Sequence, residues 1–227
     1  MADSILIIGE SGSGKSTSAR HLNSEETFWI NVANKSLPFK GWKTKYPKFS
    51  KENPKGRLST ASDPNSIIKA MDYINEKRPE IKNLIIDDWQ YMSAFEFFDR
   101  ADEKGYDKFT DIGKWLARVA KKPITLRDDL TIFFFTHSEE NQDKKGIKKT
   151  KAKTIGRMVD EKLTLEGLFS IVLYAKVKRN EEGNLKYVFE TVNDGSNTCK
   201  SPMEMFETAD IANDLQLVKS AISEYEQ

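Results

Sequence analysis

The chain has 227 residues, of which 36 are lysine or arginine and 35 aspartate or glutamate, for a net charge of +1. That length can bury on the order of 70% of its unfolded surface in one core, and so even a charge balance excludes a global pull toward nucleic acid or a membrane; a charged partner must meet a local patch. The single cysteine, Cys199, excludes an internal disulfide, and no apolar run approaches the roughly 20 residues of a membrane span or the core of a secretory signal, so one soluble cytoplasmic domain over residues 1–227 is expected.

Ser4 to Ile8 is an almost continuous apolar run that stops at glycine, as a strand buried on both faces does. "GESGSGKSTS" follows from Gly9, and Lys15 to Leu22 reads as the helix after that loop, with His21 a structural residue on it. Thr27 to Ala33, rich in aromatic and β-branched residues, predicts a second strand. Ser62-Asp63-Pro64 supplies a cap and a first-turn proline, and Ile67, Ile68, Met71 and Ile74 then share one helical face. "NLIIDD", Asn83 to Asp88, predicts a central parallel strand with acids at its carboxyl end. Ile112, Trp115, Leu116 and Val119 recur at helical spacing, and "TIFFFTH", Thr131 to His137, is the clearest strand. After a lysine-rich loop, Leu168 to Val177 and Leu185 to Val192 flank "KRNEEGN" and predict an antiparallel hairpin. Ile211, Leu215, Val218 and Ile222 make one amphipathic stripe for a last helix. Alternating strands and helices with no fixed repeat predict an α/β fold: a central, mostly parallel sheet flanked by helices, with an antiparallel C-terminal hairpin.

Gly9, Gly14, Lys15 and Ser16 satisfy the phosphate-loop spacing G-x-x-x-x-G-K-[S/T] between a strand and a helix. Glycines let successive backbone amides of residues Gly9, Ser11, Gly12, Ser13, Gly14, Lys15, Ser16 and Thr17 converge on phosphate oxygens, and the helix N-terminus adds partial positive charge. Lys15 is expected at the outer phosphates of ATP and the Ser16 hydroxyl on Mg2+, with Asp87 as the magnesium partner across the site and Asp88 directed at the attacking water. Acids at a strand end also serve as helix caps, so the pair Asp87–Asp88 keeps both readings. His137, at the equivalent end of another strand beside Thr136, is the candidate γ-phosphate contact; the alternative is a plain exposed strand-end histidine. Two histidines and one cysteine at unrelated spacings give no zinc pattern.

Lys35 to Arg57 holds eight basic residues and one acid, interleaved with Phe39, Trp42, Tyr46 and Phe49, and Lys144 to Arg157 holds seven basic residues and no acid. Positive charge with stacking rings suits single-stranded DNA. The competing reading of each segment is a solvated loop whose rings cover the core edge.

"GESGSGKST", "NVANKSLPFKGW", "LIIDDWQYM", "GYDKFTDIGKW", "FFFTHSEE", "TIGRMVDEKL" and "KYVFETVNDGSNTCKSP" together resemble the phage-type nucleotide-binding proteins of the RecA-like and AAA-related phosphate-loop class, over nearly the whole chain. The resemblance implies a RecA-like core, ATP with magnesium, a role with single-stranded DNA in phage recombination or replication inside the bacterial host cytoplasm, and assembly as a homo-oligomeric ring or filament. It also implies that Lys200, in "CKSP", reaches a neighbour's γ-phosphate, the alternative being an ordinary exposed lysine. One departure concerns turnover. The RecA-type catalytic glutamate would fall in "TFWINVANK", which has no acid, and the AAA-type glutamate after the Walker aspartate is replaced by the shorter Asp88. Slow hydrolysis, or a nucleotide-dependent switch with little hydrolysis, is therefore compatible with the residues, as is a small-molecule or nucleoside kinase, although kinases gather arginines over the transferred phosphate and these segments are mostly lysine.

Overall fold

The computed structural model describes residues 1–142, 146, 148–154 and 163–226. Among these residues, nine strands form a mixed sheet: β1 Asp3–Gly9, β2 Thr27–Asn31, β3 Leu58–Ser59, β4 Asn83–Asp87, β5 Thr131–Gln142, β6 Lys148–Ala152, β7 Ile171–Arg179, β8 Leu185–Glu190 and β9 Asp210–Ala212. The order along the sheet is β3-β2-β4-β5-β1-β7-β8-β9, with β6 pairing β5 off this path. From β3 to β7 every pairing is parallel, whereas β7–β8, β8–β9 and β5–β6 are antiparallel. The expected mostly parallel sheet with an antiparallel hairpin near its end is what forms. Parallel neighbours need crossovers, and these supply the helices α1 Trp42–Lys45, α2 Pro64–Lys77, α3 Gln90–Asp99 and α4 Asp107–Lys121; α5 Leu215–Tyr225 follows the antiparallel edge.

Side chains alternate along a strand, which divides each apolar run between two cores. Leu6, Ile8, Phe28, Ile30, Leu84, Ile86, Ile132 and Phe134 face the layer built by Ile67, Met71 and Ile74 of α2 and Leu116 and Val119 of α4. Ile5, Ile7, Trp29, Ile85, Phe133 and Phe135 face the other layer, with Ala19, Leu22 and the α5 residues Leu215, Val218 and Ile222. Covering both faces is the reason that these strands read as continuous hydrophobic runs rather than as alternating ones.

Several local expectations are corrected. The helix expected after the loop over Lys15 to Leu22 is present as a shorter 3₁₀ helix, Ser16–His21. Its Ser18 hydroxyl bonds back to the Lys15 carbonyl at 2.5 Å, the kind of local competition with the backbone that serine introduces. Strand β2 ends at Asn31, short of Ala33, where its side chain turns to the backbone of Lys35. Ile211 lies in β9, paired with Phe189, so the stripe of α5 begins at Leu215, behind the Asp214 cap. The hairpin strands run Ile171–Arg179 and Leu185–Glu190, leaving Leu168 and Val192 outside them. β5 does not stop at His137 but continues to Gln142 and pairs with Lys148–Ala152, so part of the lysine-rich loop is itself a hairpin.

Candidate functional site

Parallel register brings the carboxyl ends of the central strands to one edge. Gly9 stands opposite His137 of β5 on one side and Ala175 of β7 on the other, and Asn31 stands opposite Asp87. Strand β5 lies between β1 and β4, so His137 sits between the loop and the two acids. Ligands of open α/β sheets bind at this edge.

After Gly9 the backbone doubles back through Gly12 (φ +79°) and Gly14 (φ +93°), conformations that cost little without a Cβ. Lys15 is buried, at 6% exposure, and its Nζ donates to the carbonyls of Gly9 at 2.7 Å and Glu10 at 2.8 Å. Burial lowers its pKa to about 8, against the opposing pull of Asp88 and Asp87. The Ser16 hydroxyl donates to both carboxylate oxygens of Asp87, each at 3.0 Å. Burial, and then the neighbouring charge of Asp88, raise Asp87 to about 7.

Asp88 adopts φ +58° just outside β4 and is buried. Burial opposes its charge, yet hydrogen bonds from His137 and Lys35 prevail and hold it at about 2. His137 Nε2 lies 3.2 Å from Asp88 Oδ1, and Lys35 forms an ion pair with Oδ2. Lys35 is placed there by Asn31, whose amide donates to the Lys35 carbonyl at 2.5 Å and accepts from its N–H at 3.1 Å. The position at which a RecA-type glutamate was sought thus holds an asparagine that aims a lysine at Asp88.

A cavity of about 420 Å³ connects these groups. Of the expected residues, Ser11, Gly12, Gly14, Lys15, Ser16, Thr17, Asp87, Asp88 and His137 line it. Gly9 lies beneath, where a Cβ would meet Ser13 Oγ at 2.5 Å and the Ala175 carbonyl at 2.7 Å. Ser13 is buried and lines an adjoining cavity with Tyr174 and Lys176. The sequence did not point to Arg20, Lys35, Tyr187 or Asn213 as wall residues; Lys35 was legible only as the start of a basic run. His21 makes a 2.6 Å contact with Asp214, away from this cavity.

The rings of Lys35 to Arg57 pack inward. Tyr46 is 2% exposed, Phe39 and Tyr46 surround Trp29, and Phe49 meets Phe28 at 5.9 Å between centroids. The core-edge reading holds for these side chains, which removes base stacking by Tyr46, Phe39 and Phe49 from the argument for DNA there. In the second segment, Lys148 pairs with Glu140 at 3.2 Å and Lys151 with Glu139 at 3.1 Å. Lys144, Lys145, Gly156 and Arg157 lie outside the described residues. Lys200 is exposed, with its backbone bridged to Val172, and does not line the cavity. Cys199 is buried, and burial pushes its thiol up to about 12. No helix among the described residues is long and apolar enough to cross a membrane.

A glycine-bearing loop between the central strand and a helix, with a buried lysine and a serine paired to a strand-end aspartate across the sheet, defines a RecA-like phosphate-loop α/β protein. A family model described as AAA domain matches residues 1–203, and the chain belongs to that family of phosphate-loop nucleotide-binding ATPases. No curated protein matches the sequence.

Proposed function

We propose that residues 1–227 act as one domain that binds ATP with magnesium at Gly9–Thr17 and Asp87 and hydrolyses it slowly. The observation that carries this reading is the meeting of Lys15 and Ser16 of the loop with Asp87 of the distant β4 on one cavity. Gly12 faces open space, with nothing within 4 Å of a Cβ built on it, which leaves the loop amides room for phosphate oxygens. A hydroxyl and a carboxylate 3.0 Å apart are hard oxygen donors suited to magnesium. Among the described residues no group of three or more His, Cys, Asp or Glu could hold an ion alone, in keeping with a metal held by one or two protein oxygens plus phosphates. Magnesium, when bound, neutralises charge between the outer phosphates.

In this reading Lys15 exchanges its two carbonyl partners for phosphate oxygens. Asp88, ionised throughout the physiological range, accepts a hydrogen bond from water and orients it; a carboxylate held at about 2 is a weak proton acceptor, which is why slow turnover is expected. His137 steadies Asp88 and stands next to the phosphate end. The pairing of Asp88 with Lys35 and His137 also supports a second reading, a nucleotide-dependent assembly switch that seldom hydrolyses.

The partner we infer is single-stranded DNA, in phage recombination or replication, met by Lys148, Lys149, Lys151 and Lys153 on the hairpin that continues from His137. The lysines of the first segment add charge, without stacking by Tyr46, Phe39 or Phe49. Homo-oligomers, with Lys200 directed at a neighbour's nucleotide, complete the proposal. The test is ATPase activity with and without single-stranded DNA over a protein concentration series. Expected are stimulation by DNA, cooperative dependence on concentration, and DNA binding that weakens with salt at a log-log slope of about 0.7 per phosphate neutralised. Unstimulated activity with a flat salt response would reject the DNA partner; assembly on a non-hydrolysable analogue with negligible turnover would favour the switch.

A further inference from the structure

Loop amides and Lys15 address phosphate oxygens, which are the same in every nucleoside triphosphate, so recognition of the base must come from another part of the wall. Beside Gly14 that wall is made by Tyr187 of β8 and Asn213, which follows β9. A Cβ at Gly14 would lie 2.9 Å from Tyr187 Cδ1 and 3.1 Å from Asn213 Oδ1, so both side chains press on the phosphate loop itself. Tyr187 is nonetheless 49% exposed, leaving much of its ring uncovered.

Asn213 is the reverse case. It is 3% exposed, and its Nδ2 is sealed from water with no hydrogen-bond partner. A buried donor left unmet is destabilising until a partner satisfies it. Its backbone is fixed on both sides: the N–H donates to the Tyr187 carbonyl at 3.3 Å, and the carbonyl accepts from Arg20 Nη1 at 2.9 Å. The same Arg20 nitrogen donates to the Thr17 carbonyl at 3.2 Å. Ring, amide and phosphate loop are therefore tied into one unit, with an open aromatic surface on the wall of the cavity that holds Lys15 and, in the lining residue beside it, an amide donor left unmet.

We propose that Tyr187 and Asn213 form the nucleobase subsite, Tyr187 stacking on the base and the Asn213 amide meeting the adjacent donor and acceptor of an adenine edge, a pairing that suits an asparagine amide. The inference rests on the reading that Gly9–Thr17 binds the triphosphate. Guanine presents two acceptors at N7 and O6, where adenine presents an acceptor and a donor, so the amide favours ATP over GTP.

Calorimetric titration with three probes separates the claims: magnesium ATP, magnesium GTP and inorganic tripolyphosphate. Wild type should bind ATP at least about tenfold tighter than GTP, and tripolyphosphate more weakly still. Tyr187→Ala should weaken ATP by about 5- to 150-fold, the range of one base stack, and leave tripolyphosphate unchanged. Tyr187→Phe should restore ATP binding, and Asn213→Ala should bring ATP and GTP together. Unchanged ATP affinity in Tyr187→Ala, equal loss of all three probes in that variant, or equal ATP and GTP binding by wild type would each overturn the subsite while leaving the phosphate loop standing. Failure of wild type to bind any of the three would instead overturn the phosphate-loop reading, and the subsite with it.

Discussion

Asp87→Asn in the metal-free protein isolates the energetic cost of the buried acid. The native carboxyl titrates near 7 because of burial, whereas the unfolded value is 3.8. Between these values the native state holds a proton that the unfolded state has released, so this group makes stability fall as pH rises, by about 1.4 kcal/mol per pH unit. The benefit is complete below about pH 4 and lost above about pH 7, a total of about 4 kcal/mol. Asparagine keeps an oxygen for the 3.0 Å hydrogen bond from Ser16 and carries no charge. Lys15 and Lys35 lose a counter-charge in the variant, which lowers the absolute gain, but the pH dependence of the difference survives because both lysines stay protonated below about pH 7. Denaturant unfolding of both proteins in chelator at pH 5, 6 and 7 should show the variant gaining on wild type by about 2 kcal/mol across the series. A difference independent of pH, or one of opposite slope, would refute the assignment of Asp87 as a desolvated acid.

Other expectations follow from the same geometry. Lys15, lowered to about 8 by burial, must be protonated to meet phosphate, so ATP affinity should fall by up to about tenfold per unit above pH 8; a flat titration curve from pH 7 to 9.5 would count against that role. Gly12→Ala adds only left-handed strain, about 1 kcal/mol, whereas Gly14→Ala adds the clash with Tyr187 as well; thermal unfolding should rank Gly14→Ala clearly lower, and equal losses would contradict the packing. Asp88→Asn should keep nucleotide binding, measured by fluorescence titration, while single-turnover hydrolysis drops at least about tenfold; undiminished turnover would remove Asp88 from the chemistry.

The chain announces the site more plainly than its surroundings. Ile5 to Ile8 before Gly9 and Leu84 to Ile86 before Asp87 are legible because a strand covered on both faces has no polar position until it reaches the edge where ligands bind. The α3 helix is not evident in the sequence because "QYMSAFEFFD" has no side-chain cap on Trp89 and its four aromatics suit a strand as well as a helix. The extension of β5 through "SEENQ" was hidden because both faces there are polar, and only the partner strand Lys148–Ala152 reveals it. Lys35 and Asn213 belong to the site through sheet order, since β2 lies beside β4 and the β8–β9 edge folds against the loop. Local pattern carries no information about such adjacency. Tyr187 sits in the exposed first half of a hairpin strand, where a tyrosine looks ordinary until Gly14 is seen against it.

The continuous run of β5 from Thr131 to Gln142 has a mechanical consequence. His137 to Gln142 contains neither glycine nor proline, so nothing in the covalent chain softens the path from the acid pair out to Gln142, opposite Lys148. Five residues of extended chain span about 16 Å. On a lever of that length, a tilt of about 10° at the histidine displaces the tip by nearly 3 Å, comparable to the length of a hydrogen bond. A rearrangement at His137 would thus be carried out to Gln142, with no separate hinge required.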